Sequence, residues 1–106
     1  MPVKEGDRVE QGQILMEFWN DDLSAQVQLA ESELESAAAK AEQTCVLAQV
    51  AEREARRLKQ LKQQRLAAEE AVDKADGEAR AQRAACTAAK ATVQVGQAKL
   101  DVALAA

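Results

Sequence analysis

From Leu23 to Ala103 the apolar residues keep one rhythm, and that rhythm limits the fold more than any other feature of the chain. Leu23, Val27, Ala30, Leu34, Ala37, Ala41, Ala48, Ala55 and Leu58 follow one another at intervals of three, four or their sums. That spacing lays a single narrow stripe along a helix, with Glu31, Glu33, Glu35, Lys40, Glu42 and Arg53 mostly off it. Val72, Ala75, Ala79, Cys86, Ala89, Val93, Leu100 and Ala103 repeat the pattern in the second half. Narrow seams pair in coiled coils, so the two stripes predict two long helices packed on each other as an αα-hairpin.

The side chains available for the seam are small. The chain of 106 residues has 24 alanines but only two aromatics, Phe18 and Trp19. Because large side chains supply most of the buried area in an ordinary core, such a chain must bury itself by close approach of backbones, which paired helices allow. A charged fraction of 30% with a single proline, Pro2, fits the same class.

The stretch from residue 3 to residue 19 reads differently. Val3, Val9, Ile14, Leu15, Phe18 and Trp19 are broken by Glu5-Gly6-Asp7 and Gln11-Gly12-Gln13, a pattern of short strands and tight turns. Asn20, Asp21 and Asp22 then offer N-cap side chains, which predicts a helix start near Asp21 or Asp22.

Two signals compete for the tip of the hairpin. Asp76-Gly77 is the strongest local turn signal. In an antiparallel pair, however, residues at one height have numbers with a constant sum, and Cys45 level with Cys86 puts the midpoint at 65.5. That places the tip at 63–68, just before Glu69 and Glu70, whose charges suit the first turn of a helix. The same constant carries the second helix back to the base near the last residue, whereas a tip at Asp76-Gly77 would need a longer chain. An arm of this kind has about 42 residues per helix and a length of roughly 60 Å.

Little in the chain points to catalysis. It has no histidine or tyrosine, and Ser24, Ser32 and Ser36 fall on a predicted helix with no general base beside them. The carboxylates read as solvated helix faces. A net charge of −4 with interspersed signs argues against nucleic acid as a partner. No stretch is long and apolar enough to span a membrane, and no basic-then-apolar export signal opens the chain, so an excised fragment of a longer protein is expected. Cys45 and Cys86 lack the extra ligands a metal site needs, which leaves a disulfide or two small seam residues.

Val3-Lys4-Glu5-Gly6-Asp7-Arg8-Val9-Glu10-Gln11-Gly12-Gln13-Ile14-Leu15 resembles the first half of a lipoyl or biotinyl-type β-sandwich. Asp21-Asp22-Leu23-Ser24-Ala25-Gln26-Val27, opening a long alanine-rich helix, then resembles the way HlyD-type membrane fusion proteins, or periplasmic adaptors, insert a hairpin between lipoyl halves. The resemblance covers the whole chain. A carrier domain would show an acceptor lysine where Trp19-Asn20-Asp21-Asp22 stand, and none is there.

The resemblance implies a mainly α fold: a long antiparallel two-helix coiled-coil hairpin over residues 21–106, with a short half-lipoyl β segment over residues 1–20 at its base. It implies a periplasmic arm, anchored to the inner membrane in the full-length protein, with no enzyme activity, cofactor or metal. Its expected partners are an outer-membrane channel, an inner-membrane transporter and further copies of itself. The family's tip carries an arginine, a leucine four residues on and a serine seven beyond that, used in docking on the channel. Arg57 and Leu61 match, Ala68 stands in place of the serine, and Leu66 adds an apolar contact. In an exported protein the oxidising compartment would favour a Cys45–Cys86 disulfide. The reading from another class is a structural coiled coil that dimerises as a four-helix bundle.

Overall fold

The structure is a computed structural model that describes the backbone from Lys4 and the side chains from Asn20 to Ala106. It is a two-helix hairpin in which α1 runs Lys4–Gln63 and α2 runs Glu69–Ala105. The molecule is a thin rod, 91 × 18 × 14 Å.

The seam follows the heptad pattern. In α1 Ala30, Ala41, Ala48 and Ala55 are buried, with Leu23, Val27, Leu34, Ala37 and Leu58 half-buried between them. In α2 Val72, Ala79 and Gly96 are buried, while Ala75, Cys86, Ala89, Val93, Leu100 and Ala103 are half-buried. Ala41, Ala48 and Ala55 stand seven residues apart, so one heptad position of α1 is held by a methyl group over three consecutive heptads.

Methyl-sized seam residues bring the helices close. A Cβ placed on Gly96 would lie 3.4 Å from the backbone Cα of Leu34, so the bare glycine marks a close approach of the two backbones near the base. No large side chain is fully buried among the described residues, which means that backbone proximity and many small contacts hold the pair together.

Residues 4–19 depart from the expected β base. They continue α1, and no strand occurs among the described residues. A strand satisfies its N–H and C=O groups only against a neighbour, and a half-sandwich alone leaves its edges unpaired. A helix satisfies these groups within its own segment, so a stretch without partner strands falls into the helix that follows it. Val3 lies outside the described residues, as do the side chains of Val9, Ile14, Leu15, Phe18 and Trp19. Asp21 and Asp22 therefore do not start a helix. They lie inside α1, where Asp22 accepts a hydrogen bond from Gln26 Nε2 at 3.3 Å.

Candidate docking tip and cross-helix staple

The reversal occupies Gln64–Ala68. Leu66 N–H donates to Leu61 O (2.8 Å) and Arg65 N–H to Lys62 O (2.9 Å), while Arg65 has φ 61°. This is a Schellman closure, in which the residue after the C-cap turns left-handed so that the next N–H can reach back. Glycine usually fills that position, because a Cβ there meets the following carbonyl. Here an arginine fills it.

Ala68 is the N-cap of α2, with φ −77° and ψ 148°, and it makes no side-chain cap bond. Its carbonyl begins the helix by accepting from Val72 N–H at 3.2 Å. A serine at this position would place a hydroxyl against the free N–H groups of the first turn, so the alanine removes a capping group from the tip. Glu69 and Glu70 supply favourable charge to that turn instead.

Arg57 and Leu61 lie one turn apart on α1, below the reversal. The Arg57 guanidinium grips Glu54 with two bonds, Nε to Oε2 at 3.0 Å and Nη2 to Oε1 at 2.7 Å, both on the exposed surface. This pairing lowers the Glu54 pKa and raises that of Arg57. Leu61 is half-buried, but Leu66, at the extremity, is 70% exposed. Thus the sequence-derived tip residues lie within the last two turns of α1 and the reversal, with Arg57 already engaged by its own helix.

Cys45 and Cys86 are joined by a disulfide across the seam, with their Cα atoms 4.6 Å apart. It bridges 41 residues of chain. The register it sets is kept along the arm: the partners Lys62–Glu69, Lys59–Asp76, Glu52–Arg83, Glu33–Lys99 and Leu34–Gly96 have numbers that add to between 130 and 135.

These ion pairs escaped sequence reasoning. Cys45, Glu52 and Lys59 stand seven apart on one flank of α1 and face Cys86, Arg83 and Asp76 in order. The signal existed, since opposite charges at heptad spacing on the two halves match in an antiparallel register. Asp76 is the best connected. It accepts from Lys59 Nζ at 3.2 Å and lies 3.2 Å from Arg80 Nη2, and these partners, Lys59 first, hold its carboxyl below the ordinary aspartate value. Asp76-Gly77 is therefore an ion-pair site inside α2 and not a turn.

No cluster of three or more metal-ligating side chains occurs among the described residues, and no described helix is long and apolar enough to cross a membrane. No protein-family model, curated protein or solved structure matches the chain.

Proposed function

We propose that the chain is the hairpin arm of a HlyD-type periplasmic adaptor, docking its tip on an outer-membrane channel and linking it to an inner-membrane transporter. The observation that carries this reading is the arm itself: a long, thin, antiparallel hairpin that ends in an exposed Leu66, with Arg57 and Leu61 just below. A rod of this shape spans distance and presents one small end. A cross-helix disulfide suits an oxidising compartment such as the periplasm.

In this reading no bond is made or broken, and no cofactor or metal takes part. Several copies bundle around one axis, and their tips enter grooves between helices of the channel. Leu61 and Leu66 give up water at the joint, and Arg57 exchanges the Glu54 carboxylate for an acceptor on the channel. That exchange is easy because the Arg57–Glu54 pair is open to solvent, where ion pairs contribute little. Ala68 contributes no hydroxyl to the joint. The half-lipoyl base over residues 1–20 belongs to the same proposal and forms only where partner strands complete the sandwich.

A photo-crosslinker at Leu66, introduced into the protein in its own host, tests the docking. The expected product joins position 66 to an outer-membrane channel and disappears when Arg57→Asp and Leu61→Asp are added. Cross-links from position 66 only to further copies of the chain would overturn the proposal. Val46, Leu47 and Val50 form an exposed apolar patch on the face of α1 away from the seam, which favours the four-helix-bundle reading as the second candidate. Light scattering on Leu47→Lys distinguishes it, since that reading predicts loss of a dimer.

A further inference from the structure

The segment that reverses the chain has no residue that favours a reversal. Gln64-Arg65-Leu66-Ala67-Ala68 lacks glycine, proline, asparagine and aspartate, and all five residues are good helix formers. The left-handed position is held by Arg65 at φ 61°, a conformation that L-residues other than asparagine and aspartate rarely adopt. Local preference at the tip is for continuous helix, and the hairpin is imposed by the seam and the disulfide.

One of the two apolar heptad positions of the seam would survive straightening. Ala30, Ala37, Ala51 and Leu58 fall seven or fourteen apart, and Val72, Ala79, Cys86, Val93 and Leu100 continue the same count of seven across the turn. The two stripes therefore share one heptad position on a single uninterrupted helix, whereas the count through Ala41, Ala48 and Ala55 leads on to Lys62, Glu69, Asp76 and Arg83, the residues of the ion pairs. Leu66 stands seven residues beyond Lys59 and fourteen beyond Glu52, on the flank from which α1 reaches its partner. In the hairpin Leu66 has no helix to face.

The register is also symmetric. Residue i faces residue 131 − i at Cys45–Cys86 and at Lys62–Glu69. Two straightened copies laid antiparallel about the point 65.5 would therefore make every one of these contacts between chains: Cys45 with Cys86, Glu52 with Arg83, Lys59 with Asp76 and Lys62 with Glu69 of the other copy. Leu66 would meet the second copy at the axis and be covered.

We propose that this chain exchanges helices with a second copy of itself through its glycine-free turn, and that the Cys45–Cys86 disulfide selects between the closed hairpin and the exchanged dimer. Formed within one chain, the bridge traps the hairpin. With both thiols reduced, nothing covalent opposes the straight helix, and a turn that costs backbone strain gives way as chain concentration rises. Two thiols then lose two protons and two electrons to an added oxidant, such as oxidised glutathione, to close the bridge between chains instead.

The decisive experiment mixes the variants Cys45→Ala and Cys86→Ala, refolds them together at high concentration and oxidises the mixture with oxidised glutathione. The exchanged dimer puts the remaining Cys86 of one variant against the remaining Cys45 of the other. The expected product is a covalent heterodimer of twice the chain mass whose peptide map links positions 45 and 86. Each variant alone gives almost none, because its like cysteines lie some 41 residues, about 60 Å, apart along the dimer.

Helical variants that stay monomeric and unlinked would overturn the proposal, and so would homodimers as abundant as the heterodimer, which mark side-by-side hairpins. Should the variants lose helicity, wild-type chain refolded with reductant across a range of concentrations serves in their place. A twofold mass that grows with concentration and becomes an interchain 45–86 bridge on oxidation is expected, and a monomer at every concentration refutes it. Arg65→Gly, which favours the turn over the helix, should lower the dimer fraction at any given concentration.

Discussion

Replacing both cysteines by alanine should cost this hairpin more stability than any other conservative change. The bridge spans 41 residues, and closing a loop of that size in the unfolded chain corresponds to about 4 kcal/mol in the chain-entropy treatment. Little in the seam can replace it, since the buried positions are mostly alanine and no large side chain is fully buried among the described residues. Alanine raises the helix propensity at both sites, so any loss reports the cross-link and not the helices.

For a domain of this size each kcal/mol moves Tm by about 4 to 8 °C, which makes the expected fall ~15 to 30 °C. The assay is thermal melting followed by far-ultraviolet circular dichroism, at the lowest workable chain concentration so that dimers do not contribute. Wild type with reductant should superimpose on the double variant. A fall below about 5 °C would refute the reasoning, because it would show that the alanine seam alone holds the helices together.

Gly77→Ala should stabilise the chain by about 0.8 to 1 kcal/mol, since a Cβ there meets nothing within 4 Å and glycine inside a helix costs that much; urea titration checks it. Ala68→Ser should add about 1 kcal/mol by capping α2, read as a higher urea midpoint with unchanged slope. Ala48→Leu should destabilise by about 1 to 3 kcal/mol, because the methyl is buried in the seam and a larger side chain there would overpack it. Asp76 titrates below its ordinary value in the fold, so its contribution is complete above the ordinary aspartate pKa and disappears as pH falls through the lowered one. Asp76→Asn should therefore flatten the acid side of a Tm–pH profile, and an acid limb as steep as wild type would contradict the Lys59 pairing.

Much of the arm was legible because heptad periodicity is a local property that any partner helix will read in the same way. Leu23 through Leu58 and Val72 through Ala103 announce a narrow stripe before anything is known about what covers it, and the seam residues named from that stripe are buried or half-buried in the hairpin. The reversal was legible only indirectly. Asp76-Gly77 has the stronger local turn chemistry, yet Gln64–Ala68 turns, because matching the seams end to end outweighs the preference of two residues. Of the tip, the positions of Arg57, Leu61 and Leu66 follow from that reversal, but the grip of Glu54 on Arg57 and the bare N-cap at Ala68 do not.

The sequence by itself determined that two alanine-seamed helices would pair, since spacing of three and four residues along a helix leaves no other way to bury the stripe. Only the tertiary structure decided which flank carries the ion pairs, that the backbones approach closely at Gly96 near the base, that Arg65 takes the left-handed turn, and that residues 4–19 extend α1 instead of forming strands. The division has one physical cause: helical hydrogen bonds close within four residues and are written locally, whereas strands, ion pairs and turns depend on what the rest of the chain brings alongside.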